Sequence, residues 1–137
     1  MAVVYLTLEH VVAIHDAVLE EHGGESGIHS LELVESAIEM PRSSFAGGDL
    51  YPDLLDKAAA YLFFIGSNDG FIDGNKRTAL AAALTFLSLN GHDVMIPMEG
   101  CAEVEELMLT IADGKLEREE ATARFKDFLT RIGAKGA

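Results

Sequence analysis

Apolar residues recur along most of this chain every three or four positions, the interval that places them on one face of a helix. Leu8, Val11, Val12, His15, Val18 and Leu19 form the first stripe, with Thr7 placed as its N-cap and Gly23-Gly24 as its end. Ser30 can cap a second helix carrying Leu31, Val34, Ala37 and Ile38, which Pro41 stops. A third, from about Asp53 to Asn68, shows Leu54, Leu55, Ala58, Ala59, Leu62 and Ile65. The fourth, from about Asn75 to Asn90, is apolar nearly all round after its first turn, which marks it as the buried centre of a bundle. A fifth helix turns Val104, Leu107, Met108 and Ile111 inward and Glu103, Glu105 and Glu106 outward. Asp113-Gly114 closes it, and the sixth aligns Ala121, Phe125, Phe128, Leu129 and Ile132.

Between these stripes the punctuation is equally legible. Residues 41–50 read as an exposed loop or short hairpin, with Gly47-Gly48 giving it freedom over a neighbouring site. His92 to Ile96 reads as an extended link, and the tail from Gly133 to Ala137 as a frayed end. The pattern predicts an all-α, single-domain architecture over residues 1–137, six helices packed around the one beginning at Asn75.

Composition narrows the functions open to such a bundle. With 137 residues and 49% hydrophobic content, one core is the natural expectation. Ten Lys and Arg stand against 23 Asp and Glu, a net charge of −13 that opposes direct nucleic-acid or membrane-surface binding. Cys101 is the single cysteine, which excludes an internal disulfide and fits a reducing cytosol. No segment approaches the ~18 consecutive apolar residues of a membrane span, and the N-terminus lacks the basic region of a signal peptide. The expectation is a soluble cytoplasmic protein.

Candidate chemistry gathers between the third and fourth stripes, in Asn68-Asp-Gly-Phe-Ile-Asp-Gly-Asn-Lys-Arg-Thr-Ala-Leu80. A polar turn with Gly70 and Gly74 runs directly into the fourth helix, where the first four N–H groups have no intrahelical acceptor. The helix dipole adds partial positive charge there, and Lys76 and Arg77 add two full charges. Basic residues in a first turn oppose the dipole, at a cost of a few tenths to ~1 kcal/mol. A bound polyphosphate would remove that conflict. The stretch is therefore a candidate anion cradle suited to phosphate, with Asp73 placed to hold the Mg²⁺ that nucleotide phosphates bring. The competing account is an ordinary turn and helix cap.

Other chemistries fail on spacing. Gly74-Asn75-Lys76 interposes an asparagine where a P-loop needs Gly-Lys-Ser/Thr. An EF-hand starting at Asp69 would meet Phe71 and Leu80 where it needs acidic residues. The five histidines show no metal-ligand spacing, and His15 reads as a hydrogen-bonded core residue. Cys101 reads as inert, and the Glu103 and Glu117 clusters as solvated faces.

Phe71-Ile-Asp-Gly-Asn-Lys-Arg-Thr-Ala-Leu80 closely resembles the signature of the Fic/Doc superfamily. More narrowly it is similar to the death-on-curing (Doc) toxins of bacterial toxin–antitoxin pairs, which share Lys at position 76 where general Fic enzymes have Gly. The likeness extends through Tyr5 to Glu9, Ile14-His15, Gly23 to Ile28, Leu33 to Ala37, Asp49 to Pro52, Lys57 to Ala59 and Leu87 to Gly91. It implies that Phe71 anchors the loop in the core and that Asp73 coordinates Mg²⁺. Gly74 and Asn75 would bind phosphate through the backbone and the side-chain amide, and Lys76 and Arg77 would neutralise it. The 41–50 segment would be the flap that aligns the target. The implied activity is transfer of phosphoryl, or AMP, from Mg-ATP to a protein hydroxyl. In Doc toxins the target is elongation factor Tu, and the partner is an antitoxin with a Phd-like C-terminal segment.

Asp69 departs from that pattern, for it stands where the family carries its catalytic histidine. Imidazole, with a pKa of about 6.5, suits a general base near neutrality, whereas an aspartate near about 3.9 is a weaker one. Aspartate is not disqualified, since protein kinases use one to accept the substrate hydroxyl proton. Its side chain is shorter, and its charge beside the phosphates repels them or recruits a second cation. Three accounts stay open: an attenuated family member, a member with Asp as base, or a deliberately inactivated form. Asp69 as a plain turn cap is the competing structural reading. From another functional class, a non-catalytic Fic domain that holds nucleotide or antitoxin would fit the same residues.

Overall fold

A computed structural model describes residues 2–133; residues 134–137, in the tail read as frayed, lie outside the described residues. Six helices follow in order: α1 Leu8–His22, α2 Leu31–Glu39, α3 Leu54–Asn68, α4 Asn75–Leu89, α5 Cys101–Ala112 and α6 Arg118–Arg131. Their ends match the sequence signals to within a residue or so because the caps themselves are in place. The Thr7 hydroxyl accepts from His10 N–H at 3.1 Å while His10 Nδ1 accepts from Thr7 N–H at 3.0 Å, a reciprocal capping box. Ser30 caps α2 through Leu33 N–H, and Asp53 caps α3 through Asp56 N–H at 2.7 Å. Glu39 ends α2, and Pro41 then sits in a 3₁₀ turn, Met40–Arg42, where a missing N–H does no harm.

The 41–50 segment contains a hairpin: β1 (Ser44–Phe45) pairs antiparallel with β2 (Gly48–Asp49), Ser44 opposite Asp49 and Phe45 opposite Gly48. Ala46 at φ 52° and Gly47 at φ 85° make the two-residue turn. All four strand residues are exposed.

The most buried helix is α3 rather than the one beginning at Asn75. Nine of its fifteen residues are buried, against six of fifteen in α4, and it packs on α2, α4, α5 and α6. The apolar circumference of α4 misled because it includes small residues that make room for α3 rather than cover. Ala58, Ala59 and Ala60 on α3, with Ala79, Ala82 and Ala83 on α4, are all at most 1% exposed. Facing alanines let two helix backbones approach closely, so the pair forms one double-layered centre. Tyr61, Phe86, Phe125 and Phe128 fill the space around it. The chain ahead of α1 is tied across this centre, with Leu6 N–H donating to the Tyr61 hydroxyl at 2.9 Å. Asn90 takes and gives a hydrogen bond with the main chain of Val4, each 2.9 Å long. Among the described residues no helix is long and apolar enough to cross a membrane.

Candidate functional site

The turn between the two central helices is held on three sides by main-chain partners far away in sequence. Asn68 ends α3 and its amide donates to the Leu33 carbonyl at 3.1 Å. Asp69 then reverses the chain in the left-handed region, φ 53° and ψ 43°. Gly70 is buried, and its carbonyl accepts from His29 N–H at 2.8 Å and Ser30 N–H at 3.0 Å. A methyl group on Gly70 would lie 2.5 Å from Val34 Cγ2 and 3.0 Å from Val34 N, so the first turn of α2 admits only glycine there. Ile72 N–H donates to the Gly27 carbonyl at 3.1 Å, and Phe71 forms a β-bridge with Ile28.

Phe71 is the anchor that the resemblance implies. It is 3% exposed and stacks on the imidazole of His15, ring centroids 3.9 Å apart and planes 11° from parallel. His15 is a buried, hydrogen-bonded histidine as read from its stripe, but its partner makes it part of the site: Nε2 donates to the Asp73 carbonyl at 2.8 Å. The residue touches both ends of the loop from α1. The resemblance includes Ile14-His15 but assigns them no role, and an apolar stripe does not say which neighbour its one polar member meets.

Asn75 locks the same loop from inside. Its Oδ1 accepts from Phe71 N–H at 3.0 Å and its Nδ2 donates to the Phe71 carbonyl at 2.8 Å. Thus the amide assigned to phosphate by resemblance has a structural task first, and one amide proton remains beyond it. Gly74, at φ 78°, caps α4 in a conformation that favours glycine. Thr78 N–H reaches back to the Gly74 carbonyl at 2.9 Å. Among the described residues nothing accepts from the N–H groups of Asn75, Lys76 and Arg77, and neither exposed basic side chain is in an ion pair. Unsatisfied donors, dipole and two free cations converge on one turn.

Asp73 borders that turn as an exposed carboxylate. Glu25 N–H donates to Oδ2 at 3.0 Å and Gly74 N–H to Oδ1 at 2.8 Å. The bond from Glu25, then that from Gly74, holds its carboxyl below the usual value of 3.8. It is therefore ionised at neutral pH, with lone pairs to spare on both oxygens. Among the described residues no group of three or more His, Cys, Asp or Glu side chains could cage an ion. One carboxylate beside a phosphate cradle fits Mg²⁺, which keeps its waters and takes the rest of its ligands from phosphate.

A depressed folded pKa contributes stability that is complete above the unfolded value and is lost as pH falls through the folded one. Asp73→Asn should therefore melt below the parent at about pH 6, with the gap closing below about pH 4. Thermal melts across that range check it; a gap independent of pH would show that the two N–H bonds do not favour the ionised form.

Asp69 lies at the junction of the two helices, exposed, and among the described residues its carboxylate makes no hydrogen bond. Its backbone does end α3, as a turn cap would. Yet a carboxylate at a helix C-terminus opposes the dipole, so the side chain is not explained by the cap.

Together the fold and the turn define an all-α domain in which one of the two central helices begins with unengaged N–H groups and two basic side chains. The chain belongs to the Fic/DOC family, whose model matches residues 5–87. It is 37% identical over 106 residues to "Toxin Doc" of Mycolicibacterium smegmatis, covering 77% of this chain and 81% of that protein. It is also 31% identical over 112 residues to "Protein kinase doc" of Escherichia phage P1, covering 82% of this chain and 85% of that protein.

Proposed function

We propose that this chain is the toxin of a toxin–antitoxin pair that binds Mg-ATP at Asp73–Arg77 and transfers a phosphoryl or AMP group to a protein hydroxyl. The observation that carries the reading is the cradle: three unengaged N–H groups, two unpaired cations and an ionised Asp73 on one turn. The relatives' names, a toxin and a protein kinase, fit it. Phosphoryl transfer leaves the protein mostly positioning and charge stabilisation to do, and both are functions of this turn. The N–H groups of Asn75, Lys76 and Arg77 orient the polyphosphate, and the Lys76 and Arg77 side chains offset its charge. Asp73 would hold the Mg²⁺ that comes with ATP, which would add to the neutralisation of phosphate charge. Asp69, at the position of the family's histidine, would take the hydroxyl proton. A carboxylate is a weaker general base than imidazole, so the activity of this form is reduced or absent.

Elongation factor Tu is the target proposed by resemblance, and the β1–β2 flap is the surface that would align it. The partner is a Phd-like antitoxin, whose basic or amphipathic segment would complement a net charge of −13. A cytoplasmic location accords with Cys101, which is free and exposed. Asp69 in place of the family's histidine favours a second reading as well, a regulatory domain that holds nucleotide or antitoxin without turnover.

ATP labelled in its α- or γ-phosphate, incubated with the protein and a bacterial lysate, separates these readings. Label in a protein band identifies the group transferred; Mg-ATP binding without label supports the regulatory domain. Arg77→Ala should weaken Mg-ATP about 10- to 100-fold, the loss of a hydrogen bond to a charged group worth about 1.5–3 kcal/mol. Unchanged affinity by calorimetry would remove the cradle from the argument.

A further inference from the structure

We propose that Lys57 is a positioning residue, which fixes the β1–β2 flap from inside the core and so sets the pose of the polypeptide the flap receives. What the flap receives rests on the proposed transfer function; the anchoring stands on geometry alone. Lys57 lies in the first turns of α3 and is 1% exposed, yet both partners of its ammonium belong to the flap's return leg. Nζ donates to Asp49 Oδ2 at 3.1 Å and to the Tyr51 carbonyl. Tyr51 is itself buried, edge-on to the Phe64 ring on α3 and beneath the Arg118 guanidinium of α6.

Among the described residues the hairpin's own contacts do little to hold its shape. Two residue pairs are far too few for a free-standing hairpin. Its tip is open, with Phe45 76% exposed. Leu50 N–H to the Ser43 carbonyl, 3.0 Å, closes its base. The Lys57 ammonium joins that base to the buried centre of the fold.

Burying an ammonium is unfavourable, and an apolar side chain of similar volume would fill the same space without that cost. What the ammonium adds is direction, two bonds to specified flap atoms. The pair is also asymmetric: the Asp49 side chain is 54% exposed and stays solvated without its partner, whereas the Lys57 ammonium has no solvent to turn to. Removing the lysine costs only the donor to the Tyr51 carbonyl, whereas removing the aspartate strands a buried charge and should be the more destabilising change. A side chain retained only for stability would behave in the opposite way.

Lys57→Met, Asp49→Ala and the double variant test this against the parent. Lys57→Met is expected to melt only a few degrees below the parent, Asp49→Ala clearly lower than that, and the double variant at the level of Lys57→Met. Amide exchange at Leu50 should quicken about tenfold or more in all three, while Mg-ATP affinity by calorimetry stays within about twofold of the parent. In an Asp69→His background, with purified elongation factor Tu as the probe, KM should rise about tenfold with kcat unchanged. Exchange at the parent rate, or Lys57→Met melting as low as Asp49→Ala, would overturn the anchor. Faster exchange with an unaltered KM would reduce Lys57 to a structural role. If the Asp69→His background modifies nothing, the transfer function fails, and exchange still decides the anchoring.

Discussion

Asp69→His is expected to raise protein labelling from Mg-ATP by about 10²–10⁴-fold, the usual contribution of a well-matched general base. The backbone already suits the change. Position 69 sits at φ 53°, a left-handed conformation in which Asn, Asp and His are each enriched among non-glycine residues. The position is exposed, so imidazole meets no packing obstacle, and the longer ring reaches further toward a hydroxyl at the α4 N-terminus. The substitution also removes a carboxylate from beside the phosphates, which should tighten nucleotide binding in the same variant. Labelling by the variant alone would mean an intact toxin scaffold disabled at its base. Equal labelling by both would make Asp69 a working base, and growth inhibition on expression should follow the labelling. No labelling by either would move the protein to the regulatory reading.

Phe71→Ala should be the most destabilising single change in the site, about 3–5 kcal/mol for truncating a buried Phe. The stack on His15 contributes about 0.5–1.5 kcal/mol of that order beyond buried area. In a domain of this size such a loss lowers Tm by about 10 °C or more. Its functional effect should be equally large, because Phe71 carries the main-chain groups to which the Asn75 amide is bonded. Once the ring no longer fixes the loop, Gly74 and the free N–H groups of α4 lose their common orientation, and Mg-ATP affinity falls with stability. Phe71→Leu separates the two contributions: it keeps most of the volume, loses the stack, and should cost less than about 1.5 kcal/mol. If Phe71→Ala bound Mg-ATP as well as the parent, the loop would not depend on its anchor.

Local signals carried most of the fold. Each helix was legible because caps and periodicity act within a few residues, as with Thr7 and His10 or Asp53 and Asp56. The hairpin was legible as a short exposed element around its glycines, and α5 and α6 turned the expected faces inward. The centre of the bundle is shared between α3 and α4 instead of belonging to α4 alone, for a reason of scale. Hydrophobicity around a helix reports how little polar surface it has, whereas burial depends on how many neighbours surround it. Helix α4 is apolar and partly exposed; α3 is enclosed from more sides.

Contiguous residues were enough to specify an all-α member of the Fic/DOC family, with a polar turn that runs into two basic residues at a helix start. How the turn is held emerges on folding: His15 sits on the Asp73 carbonyl 58 residues away, and Glu25 N–H on the Asp73 carboxylate 48 residues away. Folding likewise decides that Gly70 has room for no side chain and that Lys57 reaches out to the flap. Such contacts join groups whose own neighbours in the chain give no sign of them. They exist because closing the core brings distant polar atoms together, and atoms so enclosed must find partners.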